Sequence, residues 1–79
     1  MNVIEVNEEA ARERLRTENS EYRKWEDEHE SLEQTLESFE TYRYLTPEQE
    51  VERKRVQKLK LAAKDRMMEL VRRSRSGHA

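Results

Sequence analysis

His29 has the most readily named chemistry in this chain, because it follows Glu26 at a spacing that metal-binding helical bundles use. Di-iron carboxylate bundles carry the Glu-x-x-His pattern on two helices, together with two further glutamates that point inward. The second half of the chain has no histidine before His78 and no matching acid pair. Only a symmetric dimer would complete such a site. We therefore interpret His29 as a histidine at the edge of a helical core, and we predict neither a metal nor a cofactor.

Basic residues are concentrated in the second half of the chain, where they have the charge needed to contact phosphate groups. The candidates for phosphate contact are Arg53, Lys54, Lys58, Lys60 and Lys64. These residues are distributed around the helix, and no aromatic residues alternate with them as they do in many single-strand binding surfaces. An acidic first half lying alongside would also repel a polyanion. Solvated surfaces and ion pairs are the favoured interpretation, and a nucleic-acid-associated accessory protein is the alternative.

The residue types of common active sites are not combined here in a way that predicts an enzyme. The chain has no cysteine and a single glycine, so neither a Cys-His pair nor a glycine-rich phosphate loop is available. Two long helices enclose no cavity in which a catalytic group would be shielded from water. We therefore expect a protein without catalytic residues.

Composition and charge favour a small helical protein. Of the 79 residues, 33% are hydrophobic and 43% are charged, which leaves material for only one domain. Residues 1–45 carry 13 acidic and 6 basic side chains, whereas residues 46–79 carry 5 acidic and 10 basic ones, so the two halves attract each other. No apolar run reaches the roughly 20 residues of a membrane span, and the N-terminus does not resemble a signal peptide. We expect a cytoplasmic protein with no membrane contact.

A regular apolar pattern predicts the first long helix, over residues 20–41. Its large apolar or ring-bearing residues recur at gaps of three and four: Tyr22, Trp25, His29, Leu32, Leu36 and Phe39. This spacing is typical of a helix that lies along another helix. A short helix is predicted before it, over residues 8–18, with Ala11 and Leu15 on its inner side and a break at Asn19. Residues 1–7 are expected to be disordered.

A second long helix is predicted over residues 47–73. Thr46 and Gln49 can form a capping box around Pro47, which suits the first helical position. Its predicted inner side consists of Val56, Leu59, Ala63, Met67 and Leu70, with Val51 near its start. Four apolar residues lie off this side and are expected to be partly exposed: Tyr42, Leu61, Met68 and Val71. Residues 74–79 are expected to be a disordered tail.

Two long helices joined by about five residues predict an antiparallel, coiled-coil-like hairpin as a single domain over residues 8–73. A lone hairpin leaves its apolar seam open on one flank, so we expect two copies to form a four-helix bundle, and a larger protein partner is also possible. The predicted interface consists of Tyr22, Trp25, His29, Leu32, Leu36, Val56, Leu59, Ala63, Met67 and Leu70.

Residues 15–68 resemble the YdcH-like family of small bacterial proteins. The resemblance rests on Leu15, on the Tyr22–Leu36 pattern with its histidine, on Thr46-Pro47-Glu48, and on the run from Val56 to Met67. It implies a helical hairpin of bacterial cytoplasmic origin but no activity, since the family has none assigned. The chain departs from the family at Ser20, where proline is common, at Trp25, where an aliphatic residue is usual, and at Ala63.

Together these patterns predict an all-α protein that self-associates and works by binding other proteins rather than by catalysis.

Overall fold

The computed structural model describes the backbone of residues 3–76 and the side chains of residues 8–75. It contains three helices, α1 (Val3–Glu18), α2 (Ser20–Phe39) and α3 (Pro47–Ser76), and the described residues form no strand. The predicted all-α class is therefore confirmed. We call residues 40–46, which join α2 to α3, the connector.

The first helix begins at Val3, whereas the sequence pattern predicted a disordered segment over residues 1–7 and a helix from residue 8. No glycine or proline interrupts residues 3–7, so a helix that is held further along by Ala11 and Leu15 extends toward the N-terminus at little cost. Asn7 therefore lies within α1 and does not cap it.

The predicted break at Asn19 is confirmed. Asn19 adopts an extended backbone conformation, and its side-chain oxygen accepts a hydrogen bond of 3.0 Å from the backbone N–H of Tyr22. This is the ordinary N-cap arrangement, which satisfies one of the free N–H groups in the first turn of a helix. The backbone N–H of Asn19 still donates to the Leu15 carbonyl, so α1 and α2 are separated by one residue only.

The second helix ends at Phe39, two residues earlier than predicted. Beyond it the backbone N–H groups of Glu40, Thr41 and Tyr42 donate to carbonyls three residues back, at 3.0–3.4 Å. Such bonds tighten the last turn of a helix and end its regular pattern. The connector therefore starts at Glu40.

The third helix starts as the sequence predicted. The side chain of Thr46 accepts a hydrogen bond from the Gln49 N–H at 3.1 Å, and the Gln49 side chain accepts one from the Thr46 N–H at 2.8 Å. This reciprocal pair is a capping box. At its other end α3 continues to Ser76, beyond the predicted end at residue 73. Residues 77–79 of the predicted tail lie outside the described residues.

The main apolar core lies where all three helices meet. Its buried residues are Ala11, Leu15, Tyr22, Met67, Leu70 and Val71, with the half-buried Trp25 packed against them. The predicted inner positions of α1 are therefore confirmed. Val56 and Ala63 are buried as well but lie outside this cluster, so the core becomes thinner toward the connector.

The inner side of α3 differs from the prediction at Leu59 and at Val71. Leu59, predicted to be inside, is 42% exposed, and Val71, predicted to be partly exposed, is 1% exposed. These two residues lie about 120° apart around a helix. Because α3 packs against α1 as well as α2, it turns the side that carries Val71 inward, and Leu59 moves to a flank.

The same rotation of α3 turns two of its basic residues partly inward. Arg53 and Lys60 are half-buried, and they lie three positions before and four positions after the buried Val56. Val51, expected near the inner side, is 68% exposed, whereas Tyr42 and Leu61 are exposed as predicted. The inner side of α3 near the connector therefore alternates basic and apolar residues. The aliphatic stems of such basic side chains can cover apolar surface while their charged ends reach water.

The longest contact is between α2 and α3, and α1 packs against both of them. Arg66 of α3 lies over the ring of Trp25 in α2 at 6.0 Å. Phe39 lines the same cleft as Arg53. The Cα trace measures 51 × 28 × 17 Å, so the molecule is thin in one dimension. The first helix covers α2 and α3 near the main core.

The rotation of α3 makes Leu70 and Leu59 a matched pair for mutagenesis. Leu70→Ala empties a buried position and should destabilise the protein by about 2–5 kcal/mol. Leu59→Ala makes the same chemical change at a position that is half-exposed in the single chain, so at protein concentrations too low for association it should cost about 1 kcal/mol or less. Urea unfolding followed by circular dichroism measures both. Equal losses in the two variants would contradict the observed orientation of α3.

Candidate interaction surfaces

Tyr22 forms the centre of the three-helix junction. Its ring is fully buried, and its hydroxyl has no hydrogen-bond partner among the described side chains. Burial raises the pKa of the Tyr22 hydroxyl above its usual value of 10.0, and the nearby negative charge of Glu26 acts in the same direction. The side chain therefore contributes packing at the junction and stays neutral near neutral pH.

Polar contacts hold α1 against the other two helices. Arg16 donates two hydrogen bonds to the Glu26 carboxylate at 2.8 and 2.9 Å, and Arg14 donates one to the Ser74 hydroxyl at 2.9 Å. Glu8 lies 3.7 Å from Arg75. These pairs are partly exposed, and such pairs typically contribute less than about 1 kcal/mol each. Among the described side chains of α1, the apolar contacts of Ala11 and Leu15 therefore contribute more to the attachment than these pairs do.

The residues of the predicted interface fall into two groups. Half of them are buried within a single chain and are not available to a partner: Tyr22, Val56, Ala63, Met67 and Leu70. The other half are only partly covered: Trp25, His29, Leu32, Leu36 and Leu59. Any partner surface built from the predicted set must therefore use this second group.

His29 lies on α2 with one ring nitrogen toward water and one toward the protein. Nδ1 is 3.9 Å from a Glu33 carboxylate oxygen, while Nε2 is buried without a hydrogen-bond partner among the described side chains. The Glu26 carboxylate, which the metal hypothesis would use, is bound by Arg16. The described part of the chain contains no group of three or more residues arranged to hold a metal ion.

The arginines and the lysines of this chain have different environments. All eleven arginines have a partner. The partners include acidic side chains, a backbone carbonyl, a hydroxyl group, a sulfur atom and an aromatic ring. Within the described part of the chain, the ammonium groups of four α3 lysines make no ion pair, hydrogen bond or ring contact: Lys54, Lys58, Lys60 and Lys64. Of the predicted phosphate-contacting set, only Arg53 is paired, with Glu50 at 3.6 Å.

Three of these unpaired lysines surround a groove. Leu36 of α2 and Leu61 of α3 supply its apolar lining, and Lys54, Lys58 and Lys60 lie around it with Gln57. The groove is open and has a volume of about 370 Å³. We refer to these six residues as the Leu61 groove.

A second cleft of about 320 Å³ adjoins the Leu61 groove on its acidic side. It shares Leu36, Gln57 and Lys60 with the groove and is otherwise lined by Glu33, Glu37, Glu40 and Arg53. The surface potential therefore changes from negative to positive across the α2–α3 contact. This change follows from the opposite charges of the two halves of the sequence.

The exposed large apolar residues of the described chain all fall between positions 42 and 61. They are Tyr42, Tyr44, Val51, Leu59 and Leu61. Tyr44 is 81% exposed, and its ring lies beside the Arg43 guanidinium at 5.8 Å. Sequence reasoning placed Tyr42 and Leu61 outside the core, but it missed the exposure of Val51 and Leu59, because their spacing also fits an inner side. Apolar residues grouped on one part of a surface commonly mark a contact site.

Comparison with known protein families, curated proteins and solved structures finds no match to this chain. None of the described helices is long and apolar enough to cross a membrane. The candidate surfaces therefore rest on the geometry of the chain itself.

The environment of Tyr22 predicts a stability change at high pH. The pKa of the Tyr22 hydroxyl is higher in the folded protein than in the unfolded chain, so the proton on this hydroxyl stabilises the fold. This stabilisation is complete below pH 10 and is lost as the pH rises further. Tyr22→Phe removes an unpartnered buried hydroxyl, so it should raise the free energy of unfolding at pH 7 by about 1–3 kcal/mol. The variant should also lose less stability between pH 10 and 11 than the parent. Urea unfolding at both pH values measures the difference, and identical pH profiles would contradict it.

Proposed function

We propose that this protein is a non-enzymatic helical hairpin, formed by α2 and α3, that self-associates as a dimer and acts by binding other proteins. The observation that supports this proposal is that the exposed large apolar residues among the described side chains all fall between positions 42 and 61, while the part of α2 and α3 beside α1 is covered. One region of the seam is closed within the chain and the other is left for a partner. The hairpin implied by the YdcH-like resemblance agrees with this proposal.

The surface for self-association is the flank of α3 that contains Leu59. Val51, Arg55, Leu59, Ala62 and Arg66 follow one another at gaps of three and four, so they form one stripe along the helix. We call it the Leu59 stripe. Arg55 is paired with Glu52 and Arg66 with Glu69, so the charges beside the apolar residues are already neutralised. Half-buried Trp25 lies under Arg66 and continues the stripe onto α2.

A two-fold symmetric contact suits the Leu59 stripe because the stripe is apolar at its centre. The same apolar residues on two copies of the chain can therefore cover each other. Two copies would cover Val51 and Leu59 with each other and would add a second layer of helices to a molecule that is only 17 Å thick at its narrowest. The result is the four-helix bundle that the sequence pattern predicts.

Binding to nucleic acid is the alternative function, and the four unpaired lysines of α3 are the observation in its favour. Against it, Glu33, Glu37 and Glu40 line the cleft next to Lys60. A nucleic acid carries charge along its whole length and would meet these carboxylates as soon as it extended past the lysines. We therefore place nucleic acid second to a protein partner.

The dimer proposal predicts a charge-sensitive contact at Leu59. The parent protein should sediment at twice the 9.6 kDa mass of the chain, and Leu59→Glu should sediment as a monomer, because the substitution would bury an unpaired carboxylate in the contact. Sedimentation equilibrium over a range of concentrations measures this change.

Leu61→Glu is the matched control for the dimer experiment. Leu61 belongs to the same helix, is 62% exposed and receives the same new charge, but it lies on the opposite flank from the Leu59 stripe. The Leu61→Glu protein should remain dimeric. A monomeric parent, or equal dissociation of both variants, would rule out the proposed contact.

A further inference from the structure

The unpaired lysines of the Leu61 groove require an explanation, since the same chain pairs all of its arginines. Glutamates are present on α2 next to Lys60, yet they line the adjoining cleft and form no ion pair with it. An ammonium group without a partner is available to an anion that is not part of this chain. Three of them around one groove provide a local positive potential.

The floor of the groove restricts the kind of anion that fits. Leu36 and Leu61 present apolar surface between the lysines, and this surface is covered only by a ligand that carries an apolar group. Inorganic phosphate has no such group. A protein segment that combines carboxylates with an apolar side chain satisfies the lysines and the leucines together.

The neighbouring acidic cleft restricts the ligand further. Glu33, Glu37 and Glu40 begin on the other side of Leu36, so negative charge is favourable over one side of the groove only. A peptide can place its carboxylates on one side, whereas a nucleic acid cannot. The charge pattern therefore favours a protein segment over a polyanion.

We propose that the Leu61 groove binds an acidic segment of a partner protein. An apolar side chain of that segment would lie against Leu36 and Leu61, and its carboxylates would pair with Lys54, Lys58 and Lys60. This inference rests on the proposed function and specifies it, because it assigns the protein partner to a surface separate from the Leu59 stripe. Dimerisation and partner binding then occupy opposite flanks of α3.

A peptide titration of the full-length protein, followed by ¹⁵N–¹H correlation spectra, tests the groove. The probe is a synthetic peptide with a central leucine between glutamates, and the comparison peptide has serine in place of that leucine. We expect the leucine peptide to shift the amide signals of Leu36 and of residues 54–61, and the serine peptide to bind about tenfold more weakly. No shift at millimolar peptide, or equal binding of the two peptides, would overturn the proposal.

Matched variants locate the site. Lys58→Glu and Leu61→Glu should each weaken binding by about tenfold or more, because each introduces a negative charge into the groove. Lys24→Glu makes the same charge change on α2, away from the groove, and should bind within about twofold of the parent. If all three variants bind equally, the assignment of the site is wrong.

Two further results would overturn this proposal. A single-stranded DNA of equal charge that binds in the groove more tightly than the peptide would identify a polyanion site. Loss of the dimer in Leu61→Glu would identify a second copy of the chain as the occupant of the groove. A monomeric parent that still binds the peptide would instead retain the groove and reject the proposed self-association.

Discussion

The burial of the Tyr22 ring between three helices is the contact on which the rest of the structure depends. Covering an aromatic ring of this size contributes roughly 4–6 kcal/mol, which exceeds the roughly 1–3 kcal/mol that an unpartnered buried hydroxyl costs. The ring is enclosed by Leu15 of α1 and by Leu70 and Val71 of α3 within one cluster. Ala11 and Leu15, the buried residues among the described side chains of α1, thereby fix this short helix in place, and α3 is fixed in rotation.

This junction gives the molecule two unequal ends. Where α1 packs on α2 and α3, the apolar residues are covered and the seam is complete. Toward the connector there is no third helix, and Leu32, Leu36 and Phe39 are only half-buried. Because a chain with one-third hydrophobic residues cannot close its whole seam, the place where its core ends is also the place where it presents apolar surface.

The charged residues follow a similar division. Arginine has a planar group with several donors and can hold a carboxylate or a carbonyl in a fixed geometry, whereas lysine carries a compact, strongly hydrated charge on a flexible stem. In this protein the arginines join α1 to its neighbours and neutralise acids along α3, as the Arg16–Glu26 pair illustrates. The α3 lysines remain hydrated around the Leu61 groove. This division supports the view that arginines stabilise the fold and lysines are available for recognition.

Local signals in the sequence determined the helices. The cap at Asn19, the capping box at Thr46 and Gln49, and the inner positions Ala11 and Leu15 depend on residues within a few positions of one another, so they could be predicted without knowledge of the fold. The charge asymmetry that places an acidic cleft beside a basic groove was also evident from the sequence.

Only the tertiary structure decided which side of α3 faces inward. Val56, Leu59 and Ala63 form one acceptable helical pattern, and Val56, Lys60 and Ala63 form another whose centre is rotated by about 35°. Hydrophobicity favours the first pattern, but the packing of α1 against Val71 selects the second. The exposure of Leu59 and the Leu61 groove have the same origin. Each depends on a contact between residues far apart in the chain, and no local pattern records which of two similar helix faces a distant helix will cover.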